Sequence, residues 1–214
     1  LGIARTLTMT PLVERALSNA GLLVVLDARA GGDEAHLAAL RPLLQSADWM
    51  LLGALADVIR DREVGRAVRV FANEPLDRGA ACIDLEGPRD DAGIPFLRRV
   101  ALARVFSPAN ARIRVGWDGL GLEFAQVALS FGASELFGAI RFKDGELVTV
   151  DALLGHGKKS RLEPAQLVKR REIARFLMRA RRTALFATAD GTFEEYTDEP
   201  VTTDHAPSPE LALP

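Results

Sequence analysis

The chain is poor in cysteine, histidine and tyrosine, and it has no long apolar run. One cysteine, Cys82, stands among 214 residues. A single thiol excludes an intramolecular disulfide and any cysteine-rich metal site, and a reduced, cytoplasmic setting is the expectation that follows. His36, His156 and His205 show no metal-ligand spacing, so no metal is expected. The longest apolar runs, 21–26 and 49–56, fall far short of the roughly 20 residues that a membrane-spanning helix requires. No basic region followed by a long apolar run opens the chain, so no signal peptide is expected. Met9 offers a natural start, which would make residues 1–8 upstream sequence. Neither sign of charge is in excess: the net charge is −2 and the pI is near 6.0, which argues against a nucleic-acid binder.

What is present fits one α/β domain over 1–198 and a disordered acidic, Pro-rich tail over 199–214. Apolar spacing predicts helices over 11–20, 34–45, 47–63 and 95–106, with Pro42 breaking the second and Ser46 capping the third. The run 22–26 reads as a short buried strand, 30–33 as a Gly-rich turn and 67–72 as another strand. Residues 73–93 are turn-rich. In 112–117, Ile113 and Val115 alternate with Arg112, Arg114 and Gly116, the period of a strand. A helix is expected over 122–131, with Phe124, Val127, Ala128 and Phe131 inward and Gly132 at its end. Residues 136–142 and 146–150 read as a hairpin about Asp144-Gly145. A long basic helix is expected over 163–182.

Four segments invite functional readings. Trp117-Asp118-Gly119-Leu120-Gly121 lies between a strand end and a helix start, where ligands favour α/β folds. Its plainer reading is a tight connection, and Asp118 would repel a phosphate. Gly155-His156-Gly157-Lys158-Lys159-Ser160 lacks the spacing of a phosphate loop and reads as a basic loop. Cys82 is either a reactive thiol or a small buried residue. Arg171, Arg175, Arg179 and Arg182 fall mainly on the side of their helix opposite Ile173, Phe176 and Leu177. They form either a solvated face or a docking surface for an acidic partner or for nucleic acid.

Three blocks resemble a known family. Residues 110–138, running Asn-Ala-Arg-Ile-Arg-Val-Gly-Trp-Asp-Gly-Leu-Gly and on to Gly-Ala-Ser-Glu-Leu-Phe-Gly, resemble the last strand–loop–helix–strand unit of the radical SAM enzymes of the futalosine route to menaquinone, aminofutalosine synthase and dehypoxanthine futalosine cyclase. Residues 96–106 resemble the helix before that strand, 46–67 the family's N-terminal helix, and 164–186 its C-terminal helix more weakly. The resemblance implies a β/α barrel, and covers about half the chain. It also implies three cysteines in a CxxxCxxC motif, and the chain departs there: Cys82 falls at the first ligand position, Glu86 and Arg89 at the next two. Arginine does not ligate iron, and one thiolate does not hold a 4Fe–4S cluster. Most of the barrel between those positions and the last strand is missing, with most of the S-adenosylmethionine pocket.

The expectation is therefore an α/β protein, partial β/α-barrel-like, with a small mainly parallel sheet and covering helices. Its leading function is a non-catalytic accessory or ligand-binding relative of those enzymes, without S-adenosylmethionine or cluster. Candidate ligand contacts are Trp117, Asp118, Gly119 and Gly121, with Ser134 and Glu135 of the closing turn, and Cys82 is a relic cluster position. The alternatives are a small enzyme with its site at 117–121, worked by Cys82 or Asp118, and a regulatory protein using the helix 163–182. An opened barrel exposes edges, so a homodimer or a protein partner is expected, with a small-molecule ligand possible and no membrane or nucleic-acid partner.

Overall fold

The computed structural model describes residues 9–72, 82–85, 93–138, 140–141, 168–188 and 191–196. Five helices open the chain: α1 (Pro11–Asn19), α2 (Leu23–Ala30), α3 (Glu34–Ala39), α4 (Arg41–Ser46) and α5 (Trp49–Glu63). Side chains start three of them by accepting orphan backbone N–H groups. Thr10 accepts from Val13 and Asp33 from His36, while Asp48 accepts from both Met50 and Leu51. Asp48 thus does the work expected of Ser46, which closes α4 instead. Pro42 sits in the first turn of α4, where its missing N–H costs nothing, so the expected break becomes two separate helices.

The run expected as a strand over 22–26 lies mostly in α2. Leu22, Val25 and Leu26 are buried at three- and four-residue spacing, which matches a helix packed among its neighbours. Its β-branched residues lowered helix propensity too little to offset that burial.

The rest of the chain builds the sheet. In order come β1 (Ala67–Phe71), β2 (Cys82–Leu85), α6 (Ile94–Phe106), β3 (Arg112–Gly116), α7 (Trp117–Leu120), α8 (Leu122–Leu129), β4 (Glu135–Phe137), β5 (Ile140–Arg141), β6 (Val168–Lys169), α9 (Arg170–Arg179), β7 (Thr183–Ala187) and β8 (Phe193–Glu195). Six strands form one sheet in the order β2-β3-β4-β1-β7-β8, parallel except for the antiparallel β7–β8 pair. Strands β5 and β6 pair separately and in parallel. The architecture is α/β, with a six-strand, mostly parallel sheet covered by helices. No helix among the described residues is long and apolar enough to cross a membrane.

Several expectations change here. Strand β2 lies inside the stretch read as turns. Strands β7 and β8 were not anticipated at all. Helix α9 is shorter than expected, since β6 occupies 168–169. Val127 is 43% exposed rather than inward. The second strand of the expected hairpin, the basic loop 155–160 and the tail 199–214 lie outside the described residues, and the described partner of Ile140–Arg141 is Val168–Lys169.

One face of the sheet makes the core. Val68, Val70, Ile113, Val115, Leu136, Ala184 and Phe186 are buried and join the helix residues Leu52, Leu55, Val100 and Leu129 in a single apolar cluster. Each fully buried large side chain contributes about 1.5–3 kcal/mol. Helix α5 packs so close to Phe131 that a Cβ on Gly53 would stand 2.6 Å from its ring, and Trp49 stacks on the same ring at 5.8 Å.

Arginine side chains tie these layers together. Arg29 grips Glu63 through two nitrogens and donates to the carbonyls of Val105 and Ser107 at the end of α6. Arg98 donates to the carbonyls of Leu44, Gln45 and Ala47 at the end of α4. Arg104, fully buried, donates to Gly132 O at 2.9 Å, Ala111 O at 2.7 Å and Ser134 Oγ at 3.3 Å. Cations suit carbonyls at helix ends, where the macrodipole is negative.

Candidate functional site

The face opposite the core has a different chemistry. Alternation along each strand turns every second residue away from the core. In β3 these are Arg112, Arg114 and Gly116, in β1 Arg69 and Phe71, in β4 Glu135 and Phe137, and in β2 Asp84. Register then lines them up. Asp84 stands opposite Arg114, Arg114 opposite Glu135, and Glu135 opposite Arg69. Four neighbouring strands thus carry a row of alternating charge, minus, plus, minus, plus, at the strand spacing of about 4.8 Å.

Glu135 is the hub, only 1% exposed. Arg114 holds it most closely, with Nε 3.0 Å and Nη2 2.9 Å from Oε2. Arg69 Nη1 lies 3.5 Å and Arg112 Nε 4.0 Å from Oε1. Three guanidinium groups therefore surround one carboxylate. Asp84 adds a second carboxylate, 3.3 Å from Arg114 Nη1, inside ion-pair reach but outside hydrogen-bond geometry. Buried Arg114 Nη1 consequently has no hydrogen-bond acceptor among the described residues.

Aromatic rings brace this cluster. Arg114 lies 4.8 Å over Phe71, Arg69 lies 4.6 Å over Phe193, and the two rings meet edge to face at 5.6 Å. Stacking fixes the guanidinium planes and leaves their edges, where the N–H groups point, for acceptors. Arg69 and Arg112 retain 35% and 27% side-chain exposure, so the cluster has a solvent-facing side.

The sequence-predicted residues separate into three groups. Glu135 is at the centre of the cluster. Trp117 follows the carboxyl end of β3, 2% exposed, with its indole Nε1 lacking an acceptor among the described residues. Its ring packs against Gly138, where a Cβ would collide with it, and Gly138 N–H donates to Phe71 O at 3.2 Å. Trp117, Phe71 and Arg114 thus form one connected layer. The second group is structural. Ser134 is fully buried, its Oγ accepting from Arg104 Nη2 and from Ile113 N–H at 3.1 Å. Gly121, at φ +84°, donates its N–H to Trp117 O at 2.8 Å, so that backbone group is already satisfied. The third group lies away from the cluster: Asp118 and Gly119 are exposed on the short helix α7.

Cys82 opens β2, opposite Arg112 in register. Positions 86 and 89 lie outside the described residues. Among the described residues no group of three or more Cys, His, Asp or Glu is placed to hold a metal ion. With one cysteine in the chain, the donor set does not fit a 4Fe–4S cluster.

On α9, Arg171, Arg175 and Arg179 are exposed, opposite buried Ile173 and Leu177. Arg182 does not share their surface. It is 8% exposed, bonded to Asp57 at 2.8 Å and to Leu129 O at 3.1 Å, and is part of the packing. Burial also lowers two guanidinium pKa values. That of Arg104 falls to about 10, driven by desolvation and opposed by Glu63, and that of Arg60 falls for the same first reason, opposed by Asp57. Apart from this face, a cavity of about 300 Å³ opens between α1, α5 and the end of α8, lined by Met9, Val13, Met50, Val58 and Phe131 among others.

Sequence reasoning missed Arg69, Asp84, Phe71 and Phe193. The available signal was charge inside apolar strands, at Arg69 and at Arg112 and Arg114. What it lacked was the register that brings them together. No family model matches the chain, and no curated protein matches it in sequence.

Proposed function

We propose that this protein is a non-catalytic, ligand-binding relative of the menaquinone-pathway radical SAM enzymes, working without an iron–sulfur cluster. The observation that carries the reading is the charged row Asp84–Arg114–Glu135–Arg69 on the sheet face opposite the core. Buried charge in a sheet is expensive and persists where it is paired and put to use. In a barrel of the kind the sequence resembles, that face would be the interior, and ligands are held at its carboxyl-terminal mouth. The cluster chemistry has no support from the donor set, because Glu86 and Arg89 occupy the second and third ligand positions.

Anaerobic reconstitution with iron and sulfide, read by absorbance and metal count, tests the reading. A parallel thermal melt is run with S-adenosylmethionine. The expected result is no stoichiometric iron and no shift. Iron bound in proportion to protein, or a raised midpoint with S-adenosylmethionine, would overturn the reading.

A second reading, a protein-docking role for α9, is favoured by the exposed Arg171, Arg175 and Arg179. Reversing Arg175 and Arg179 to Glu is expected to abolish salt-sensitive capture of an acidic partner. Unchanged binding discards it.

A further inference from the structure

We infer that the cavity between α1, α5 and the end of α8 binds a small carboxylic acid with an apolar body, its chain lying along α5 and its carboxylate on Arg66. The site is built on helices, apart from the charged sheet face, and does not depend on the reading proposed above. Three observations lead to it.

The first is the pattern of α5. Met50, Ala54, Asp57, Val58 and Asp61 all line the cavity. Their spacing of three and four residues puts them on one face of the helix. That face changes along its length, apolar at Met50 and Ala54 and charged at Asp61. Phe131, another lining residue, stands beside Gly53 at the apolar end. Residues 50 to 61 span about 16 Å of helix. A volume of about 300 Å³ lies at the lower end of small-molecule sites. Met50 is 55% exposed, so the cavity opens to solvent, and methionine adapts to the shape of an apolar guest.

The second is charge. Asp57 is shared by Arg60 and Arg182, and Asp61 by Arg60 and Arg66. Three guanidinium groups on two carboxylates leave one positive charge over. Crowding of cations shows at Arg60, whose pKa burial lowers, with Asp57 opposing the shift and Arg182 adding to it. A surplus cation beside an apolar chamber favours an anion.

The third is access. Arg60 and Arg182 are buried behind the carboxylates, while Arg66 lines the cavity with its side chain 48% exposed. Its Nε donates to Asp61 Oδ2 at 3.1 Å. Its two terminal nitrogens have no acceptor among the described residues. A carboxylate supplies acceptors and charge together and matches a guanidinium edge.

The test uses the whole chain in titration calorimetry at matched ionic strength, with three probes: octanoate, octanol and acetate. Octanoate should bind saturably, about tenfold tighter than octanol, and acetate, which lacks the apolar body, should not bind over the same range. Arg66→Gln is expected to weaken octanoate about tenfold and leave octanol unchanged. Ala54→Leu fills the cavity from a half-buried helix position and should abolish binding of both. Arg62→Gln, exposed on the same helix and outside the lining, removes the same charge and should leave binding unchanged. Methyl spectra of the three methionines locate the ligand independently of any variant. Octanoate should shift Met9 and Met50, which line the cavity, and leave Met178, 66% exposed on α9, in place. The inference is overturned if octanoate does not bind or binds no tighter than octanol. It is equally overturned if Arg66→Gln or Ala54→Leu binds octanoate as the wild type does, or if the Met9 and Met50 signals do not move. None of these failures touches the cluster-less reading, which the iron and S-adenosylmethionine results decide.

Discussion

Two sets of arginines in this molecule have opposite relations to their surroundings. Arg29, Arg98 and Arg104 sit among helices and spend their donors mainly on backbone carbonyls at helix ends and turns. Arg69, Arg112 and Arg114 sit on strands and face carboxylates and rings. The first set closes the backbone's own accounts, since each carbonyl it meets would otherwise be buried unsatisfied. The second set is held by side chains: by Glu135, and for Arg69 and Arg114 by the aromatic rings of Phe193 and Phe71 as well. Burial alone therefore does not separate a structural arginine from a functional one. What the donors reach does.

Removing the hub should have the largest effect. Glu135→Gln leaves three guanidinium groups around a neutral amide and is expected to cost about 3–5 kcal/mol in urea unfolding. A cost well under that of Arg104→Met would show that the cations are already balanced by something else. Arg104→Met removes three hydrogen bonds to α6's neighbours and should cost about 3 kcal/mol in the same measurement. A loss below about 1 kcal/mol would show that those acceptors find other donors.

Smaller effects probe the layer beneath the cluster. Gly138→Ala places a methyl into the Trp117 indole at a backbone φ of +155°, and about 1–3 kcal/mol of destabilisation should follow, with altered Trp117 fluorescence in a Trp49→Phe background. Trp117→Phe deletes an unsatisfied N–H and some ring volume together. The two terms oppose, so stability should change by less than about 1 kcal/mol.

The smallest prediction concerns pH. The folded pKa of Arg104, about 10, lies below the ordinary guanidinium value. Above about pH 10 the unfolded chain therefore holds more protons than the folded one, and stability rises with pH through Arg104. That gain is lost as pH falls through the folded value. The stability gap between wild type and Arg104→Met should be flat from about pH 7 to 9 and widen above pH 10 in urea melts.

Local signals in the sequence were enough for α1, α5, α6, α8 and β3, because caps, prolines and apolar spacing all lie within a few residues of one another. They misled at Leu22–Leu26, where a short apolar run suits either a strand or a helix and only the neighbours decide. They were silent for β7 and β8, whose five and three residues are too few to show a period. Trp117 was picked out from its place between a strand end and a helix start, and Glu135 from the family resemblance of its turn. The row they belong to was not legible, since Asp84, Arg114, Glu135 and Arg69 come together only through pairings between strands far apart in the chain. Ser134 shows the converse, a residue placed beside the site in sequence whose hydroxyl is wholly committed to the backbone and to Arg104.

Strand β8 has a bearing on colloidal behaviour. It turns back antiparallel on β7, spans three residues, and puts Glu194 and Glu195 at the outer margin of the described sheet, both exposed. A parallel sheet ending on β7 would offer Thr183–Ala187, an apolar and uncharged segment, as a template for any similar strand nearby. A short margin with two adjacent negative charges makes a poor template, because a second copy would have to bring like charges together. This short charged margin is thus a guard against filament growth, and Glu194 and Glu195 act on association between copies rather than on the fold.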